Sequence, residues 1–219
     1  MNIIMIGAQG SGKGTQAEAL ERALGLKPCS SGDLLREHIA KGTELGLKAK
    51  PYVERGDLVP DELVIGMILD FLRASQAQPG ARGVILDGFP RNIPQAEKLD
   101  AELAAAGQRI DAVISLEVPR ELLQGRLSGR WVCRAQGHVY NAQTNPPRVA
   151  GVCDVDGSEL YQRSDDTPEK IERRLDIFFR ETVKLLDYYE RQGKLTRING
   201  ARPIDEVTRD MLAALGARR

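Results

Sequence analysis

The stretch "GAQGSGKGTQ", residues 7–16, sets four glycines around one lysine directly after the short, mostly apolar run 2–6. Gly7, Gly12 and Lys13 match the phosphate-binding template G-x-x-x-x-G-K-[ST]. Gly14 stands where the template needs a hydroxyl, and Thr15 supplies one a place late. A buried strand running into a glycine loop and then a helix has a physical purpose. The glycines let the backbone curl so that its N–H groups converge on an anion, and the helix adds its positive end. Lys13 then reaches the outer phosphates. The missing hydroxyl means that a metal bound with those phosphates must lean on waters, on the phosphates themselves and on acids such as Asp87.

Further strands and helices alternate downstream. Helix composition runs from Lys13 to Leu24, with Gly25 as its stop. "KPCS" (27–30) is a short strand, and Ser31 is expected to cap a helix reaching Ala40. "PDELVIGMILDFLRAS" (60–75) reads as a largely buried helix, and "GVILDGFP" (83–90) as a strand ending in an acid and a tight turn. A helix to about 106, the strand "DAVISLEV" (111–118) and a helix from Pro119 to about 128 follow. Thr167 and Pro168 open a long helix to about 193, then come strand 195–199 and helix 203–215. Such alternation predicts an α/β fold with a parallel sheet covered on both faces. Residues 131–162, with Pro146-Pro147 and scattered glycines, break the rhythm and predict a small irregular or antiparallel insertion over the ligand face.

Composition narrows the function. The chain has 219 residues, 42% of them apolar and 28% charged, with 31 basic and 31 acidic side chains. That balance argues against a nucleic-acid or anionic-membrane partner. Arg outnumbers Lys by 22 to 9, which suits bidentate phosphate binding. The three cysteines point to a reducing compartment, and no apolar run approaches a membrane span, so a cytoplasmic protein is expected.

The segments "GKGTQ" (12–16), "SSGDLLRE" (30–37), "LVPDELV" (58–64), "LDGFPRNIPQAE" (86–97) and "YQRSDDTPEKIERRL" (161–175) resemble, in order and spacing, the nucleoside monophosphate kinases. The likeness is greatest to the bacterial adenylate kinases with a long lid, and those enzymes carry G-K-G-T. It implies a P-loop core with a five-stranded parallel sheet (1–29, 60–128 and 167–219). It also implies a helical AMP-binding insertion (30–59) and a lid (129–166). The implied reaction is reversible, Mg²⁺-dependent transfer of a phosphoryl group from ATP to AMP, giving two ADP, by a monomer. Related readings are a UMP or CMP kinase and a non-catalytic nucleotide-binding regulator. A GTP-dependent switch lacks support, since no N-K-x-D motif is present.

By the same resemblance, Gly10, Ser11, Gly12, Lys13, Gly14 and Thr15 cradle the ATP phosphates. Arg126, Arg130, Val139, Tyr140, Gly200 and Arg202 complete the ATP site. Ser31, Arg36, the backbone of Asp57, Leu58 and Val59, and Gly88, Phe89, Pro90, Arg91 and Gln95 hold AMP, together with Arg163 and Arg174. Lys13, Arg91, Arg130, Arg163 and Arg174 act on the transferring group. Periodicity checks one of these independently. Ile171, Leu175, Phe178, Leu185 and Tyr189 define an apolar stripe, with Arg174 on its flank and Arg173 turned to solvent. Asp165 and Asp166 either orient the arginines or cap the next helix.

Two departures from the family stand out. Gln9 replaces a frequent proline in the phosphate loop, which restores an N–H and frees a dihedral. In the lid, Cys133 and Cys153 occupy positions where some members bind structural zinc through paired C-x₂-C units. Here the pairs read Cys133-x-x-Gln136 and Cys153-x-x-Asp156, and Gln is a poor ligand. His138 is near, but its spacing differs. The expectation is a lid held by hydrogen bonds and packing, without zinc, and Cys29 as a buried apolar residue.

Overall fold

In the computed structural model, which describes residues 1–80 and 82–216, β1 (Ile3–Ile6) leads through the glycine loop into α1 (Lys13–Leu24) and β2 (Lys27–Ser30). A helical segment follows: α2 (Ser31–Ala40) and α3 (Glu44–Arg55). Next come α4 (Asp61–Gln76), β3 (Val84–Asp87), α5 (Ile93–Ala105), β4 (Ala112–Glu117) and α6 (Arg120–Ser128). The insertion holds β5 (Arg130–Cys133), β6 (Val139–Asn141) and β7 (Leu160–Tyr161). The chain closes with α7 (Pro168–Ile177), α8 (Lys184–Arg191), β8 (Leu195–Asn199) and α9 (Ile204–Gly216).

Five strands form one parallel sheet in the order β2-β3-β1-β4-β8, the predicted architecture. Alternation along each strand explains why both faces are covered. Ile4, Ile6, Val84, Leu86 and Val113 point to one side, against Met67, Ile68 and Leu72 of α4, Leu99 of α5 and Leu185 and Tyr189 of α8. Ile3, Met5, Ile85, Ala112 and Ile114 point to the other, against Ala17 and Leu20 of α1 and Val207, Met211 and Leu215 of α9. Burying each Val, Leu, Ile or Met among them contributes about 1.5–3 kcal/mol.

Several local readings need correction. Ser30, not Ser31, caps α2, its hydroxyl accepting the Asp33 N–H at 3.2 Å. Ser31 is the first helical residue, and its hydroxyl donates to the Gly88 carbonyl at 2.8 Å. Helix α3 was not placed residue by residue, although the resemblance implied a helical insertion over 30–59; it contains Pro51 and is capped by Thr43, whose hydroxyl accepts the Gly46 N–H. At Gly46 a Cβ would sit 2.1 Å from the His38 carbonyl oxygen, so only glycine lets α3 pass α2. The insertion takes the antiparallel form of the two expected, as a three-stranded sheet in the order β6-β5-β7. Thr167 makes no side-chain cap.

The long helix is interrupted. Residues Phe178–Thr182 form a π-turn between α7 and α8. Ile171 and Leu175, before it, pack on Leu123 and Leu127 of α6, whereas Leu185 and Tyr189, after it, pack on the sheet. Phe178 touches both groups. The single stripe read from the sequence is therefore two stripes serving two clusters.

Candidate active site

The loop between β1 and α1 curls as its glycines require. Gly10 (φ 82°) and Gly12 (φ 95°) are left-handed, and Gly12 caps α1 without any side-chain partner for the helix end. A Cβ at Gly10 would come within 3.0 Å of Leu127 and 3.2 Å of the Leu123 carbonyl. Lys13 Nζ lies in the loop, donating to the carbonyls of Gly7 (2.8 Å) and Ala8 (3.1 Å), and 3.7 Å from Asp87 Oδ1 at the end of β3. Burial lowers its pKa, partly offset by Asp87. Ser11 Oγ is buried and makes no hydrogen bond among the described residues.

This loop floors a cleft of about 750 Å³ that reaches β6 and the start of α9. A smaller cavity of about 70 Å³ adjoins it between α2, the end of α3 and the turn after β3. Arg36, Arg91 and Arg174 line both. Arg130 makes a bidentate pair with Asp166, Nε to Oδ2 at 2.8 Å and Nη2 to Oδ1 at 2.6 Å. Arg174 Nη1 is 3.1 Å from both Asp165 Oδ2 and Asp166 Oδ1. Asp33, outside the sequence reading, accepts from Arg36 at 2.5 Å and Arg163 at 3.4 Å. Burial raises the Asp165 carboxyl, but Arg174 and Arg36 outweigh it and hold its pKa below the ordinary range. Burial, then crowding by Arg174, lowers Arg91 to about 10. Arg163 falls to about 10 through burial and then Arg36 and Arg130, and its Nε is buried without a partner. Guanidiniums packed this closely are matched to a ligand carrying more negative charge than the three aspartates supply.

A family profile described as adenylate kinase matches residues 5–194. An adenylate kinase of Desulforudis audaxviator (strain MP104C) is 50% identical over 216 residues, 99% of this chain and all of that protein. One from Carboxydothermus hydrogenoformans is 48% identical over 215 residues, 98% of this chain and 99% of its own length. One from Staphylococcus aureus (strain N315) is 43% identical with the same coverage. This chain belongs to the adenylate kinase family.

With the adenylate kinase assignment in place, the expected residues can be located. Gly10, Ser11, Gly12, Lys13, Gly14, Thr15, Arg126, Arg130, Val139, Tyr140, Gly200 and Arg202 all border the large cleft. Arg126 Nη1 donates to the Gly200 carbonyl at 3.0 Å, tying α6 to the segment before α9. Arg202 pairs with Glu206 and with Asp210, and Tyr140 turns its hydroxyl into the lid, where it accepts the Asp154 N–H at 2.8 Å. Ser31, Arg36, Asp57, Leu58, Val59, Gly88, Arg91, Gln95 and Arg174 border the small cavity. Pro90 and Arg163 line the large one instead. Phe89 is not brought to either: its side chain is 1% exposed and belongs to the core. Gln95 is already engaged, its Oε1 accepting the Arg91 N–H (2.7 Å) and its Nε2 donating to Asp61 (2.6 Å). Arg173 is exposed but not free in solvent; it is paired with Asp57 across to the end of α3. Asp165 and Asp166 orient arginines. Asp33 was legible in "GDLLR" as an i,i+3 partner of Arg36, but its long-range bond to Arg163 has no sequence signal.

The lid holds a second polar cluster. Ligand-capable atoms of Cys133, His138, Cys153 and Asp156 all lie within 4.8 Å of one another. His138 Nδ1 is 3.3 Å from Cys153 Sγ and 3.5 Å from Asp156 Oδ2. His138, off the paired spacing along the chain, is carried by the start of β6 to the side of the two turns. Burial raises the Cys133 thiol, but hydrogen bonds from Ser158 and the Gln136 N–H outweigh it, and its pKa falls to about 7. Cys29 is 1% exposed in the core, and burial pushes its thiol up to about 12, so it is an inert apolar residue, as expected. No described helix is long and apolar enough to cross a membrane.

Proposed function

We propose that the chain transfers the terminal phosphoryl group of ATP to AMP, giving two ADP, and runs the reaction in both directions. The observation that carries this reading is the lining of both cavities by Arg36, Arg91 and Arg174. Phosphates of a donor on the α1 loop and of an acceptor in the smaller cavity would meet on those guanidiniums.

Phosphoryl transfer needs in-line positioning and charge neutralisation, with little covalent help. Lys13 and the loop N–H groups hold the donor's outer phosphates. Arg91 and Arg174 hold the acceptor phosphate in line, and Arg130 and Arg163, carried by the insertion, neutralise charge on the equatorial oxygens. Asp165 and Asp166 fix the guanidiniums beforehand, so little reorganisation is needed during reaction. Asp87, at a strand end beside Lys13, fits the second shell of a Mg²⁺ bound with ATP, since Gly14 offers no hydroxyl. That ion would supply charge neutralisation between the outer phosphates.

The adenine of AMP would rest against Leu58 and Val59, with Gln95 offering it the second Nε2 hydrogen that the Asp61 bond leaves over. Residues 30–59 and 129–166 would move as two units over a core of 1–29, 60–128 and 167–219, excluding water from the transfer. A monomer in the cytoplasm is the fitting setting. The test is ADP formation from Mg-ATP with AMP, UMP, CMP or GMP offered singly and with no acceptor. Turnover with AMP alone is expected; nucleotide hydrolysis without acceptor, or preference for a pyrimidine acceptor, would overturn the reading.

A further inference from the structure

Asp61, the first residue of α4, lines neither cavity, yet its carboxylate gathers the side-chain amides at the start of α5. It accepts from Asn92 Nδ2 at both oxygens, at 3.0 and 3.2 Å, and from Gln95 Nε2 at 2.6 Å. Asn92 in turn caps α5, its Oδ1 accepting the Gln95 N–H at 2.9 Å. The other end of the Gln95 amide, Oε1, accepts the backbone N–H of Arg91 at 2.7 Å. Gln95 itself is 2% exposed and lines the smaller cavity.

These partners decide which end of the amide is which. A carboxylate only accepts and a backbone N–H only donates. Exchanging the amide's oxygen and nitrogen would therefore set acceptor against acceptor at Asp61 and donor against donor at Arg91. The orientation follows from the partners, since the two ends of the amide are nearly alike in shape. One Nε2 hydrogen and one Oε1 lone pair are left for a ligand, in a fixed order.

That order matters to a purine. Along the edge that carries positions 6 and 1, adenine presents a donor, N6–H, and then an acceptor, N1. A 6-oxopurine presents the reverse, the acceptor O6 and then the donor N1–H. An amide that matches one edge must turn over to match the other. A site built on such bonds rejects the analogue that leaves its buried polar groups unpaired.

We propose that Asp61 is a positioning residue that sets the purine selectivity of the acceptor site. By holding Gln95 Nε2, it keeps the amide in the order that an adenine edge matches and a 6-oxopurine edge opposes. The inference rests on AMP as the acceptor and on Gln95 reaching its base, as proposed above. Asp61 acts only through Gln95, and Asn92 braces it by spanning both carboxylate oxygens. A merely structural role is the alternative, because an acid in the first turn of α4 also favours the helix end. Glu62 shares that turn and serves as the control.

The experiment measures kcat/KM for AMP and for IMP, a 6-oxopurine nucleotide without guanine's 2-amino group, with Mg-ATP as donor and the full chain. The parent is expected to favour AMP by about 10²-fold or more. Asp61→Asn, which can turn either an oxygen or an amide hydrogen toward Gln95, should cut that preference by about 10-fold. The change should lie in the KM values, with kcat for AMP within about twofold of the parent. Glu62→Gln removes one charge from the same turn and should keep the parent's preference. Urea midpoints follow the fold of each variant, and a merely structural Asp61 would lower the midpoint without moving the ratio. Asp61→Asn with the parent's ratio, or Glu62→Gln relaxing it equally, overturns the proposal while leaving the acceptor reading intact. A parent that prefers IMP, or that makes no ADP from AMP, overturns the acceptor reading and this proposal with it.

Discussion

Ile3, Ile4, Ile85 and Leu86 of the central sheet are all 0% exposed and contact helices on both faces, whereas the lid's cluster amounts to four buried residues and one tryptophan. In the sheet, position is set by apolar area, which is non-directional and tolerant of exchange. In the lid, position is set by the directed bonds of two sulfurs, a ring and a carboxylate. Apolar burial on this scale predicts that the sheet unfolds only with the whole chain, and the small polar cluster predicts that the insertion opens as a local unit at a lower free-energy cost. On the proposed reaction, a rigid floor would keep the phosphate loop in place while a separately held cover admitted and released ligand.

The comparison can be broken by experiment, because the single tryptophan, Trp131, lies in β5 of the lid. Its fluorescence reports the lid, and far-ultraviolet circular dichroism reports chiefly the helices around the sheet. Ile4→Ala should cost about 2–5 kcal/mol and shift both signals together in denaturant. Cys153→Ala should shift the tryptophan transition and leave the dichroism transition nearly in place. Coincident shifts in both variants would mean that lid and sheet unfold as one unit.

Arg130→Ala addresses the functional side of the contrast. Removing this guanidinium should lower turnover by on the order of 10²–10³ and change AMP affinity far less, measured by steady-state kinetics against equilibrium binding. Turnover within about threefold of the parent, far inside that range, would remove Arg130 from the transfer step.

Gly10→Ala tests the floor. A side chain forced into a left-handed conformation against Leu127 should cost about 1–3 kcal/mol and raise the KM for ATP more than that for AMP. Asp165→Asn has the smallest expected effect. The Asp165 carboxyl is depressed in the fold by Arg174 and Arg36. Its stabilising contribution is therefore complete above the unfolded pKa, about 3.9, and fades as pH falls through the lower folded value. The variant should lose stability less steeply than the parent below about pH 4, read from urea midpoints across an acid series.

Much of the floor was legible in the sequence, because strand alternation, a glycine loop and helix stops are local signals. "IIMIG" and "VILDG" read as strands ending at a ligand face, and they are β1 and β3. Helix α3 was expected only as part of a helical insertion over 30–59; its bounds were not legible, since Pro51 weakens the local signal and packing on α2 overrides it. The strands of the expected antiparallel insertion were not placed individually, because β7 is two residues long and exists through pairing with β5, 27 to 29 residues before it. His138 was discounted on spacing along the chain. A β-hairpin folds that spacing away, and nothing local in "CRAQGHVY" announces the hairpin. Phe89 sits inside the site motif, yet its side chain is 1% exposed and packs in the core, between neighbours that border the cavities.

The π-turn at Phe178–Thr182 turns chain length into orientation. A turn of this kind is an α-helix with one residue inserted, and the insertion rotates everything downstream by about 100°. Here that rotation sends Leu185 and Tyr189 to the sheet although Ile171 and Leu175 face α6. A deletion of one residue between 178 and 182 would remove the bulge and leave Leu185 and Tyr189 facing the sheet, whereas winding all of 168–191 as one regular helix would swing Tyr189 off the core. In this helix a one-residue gap inside the turn is a milder change than the same gap in α7 or α8.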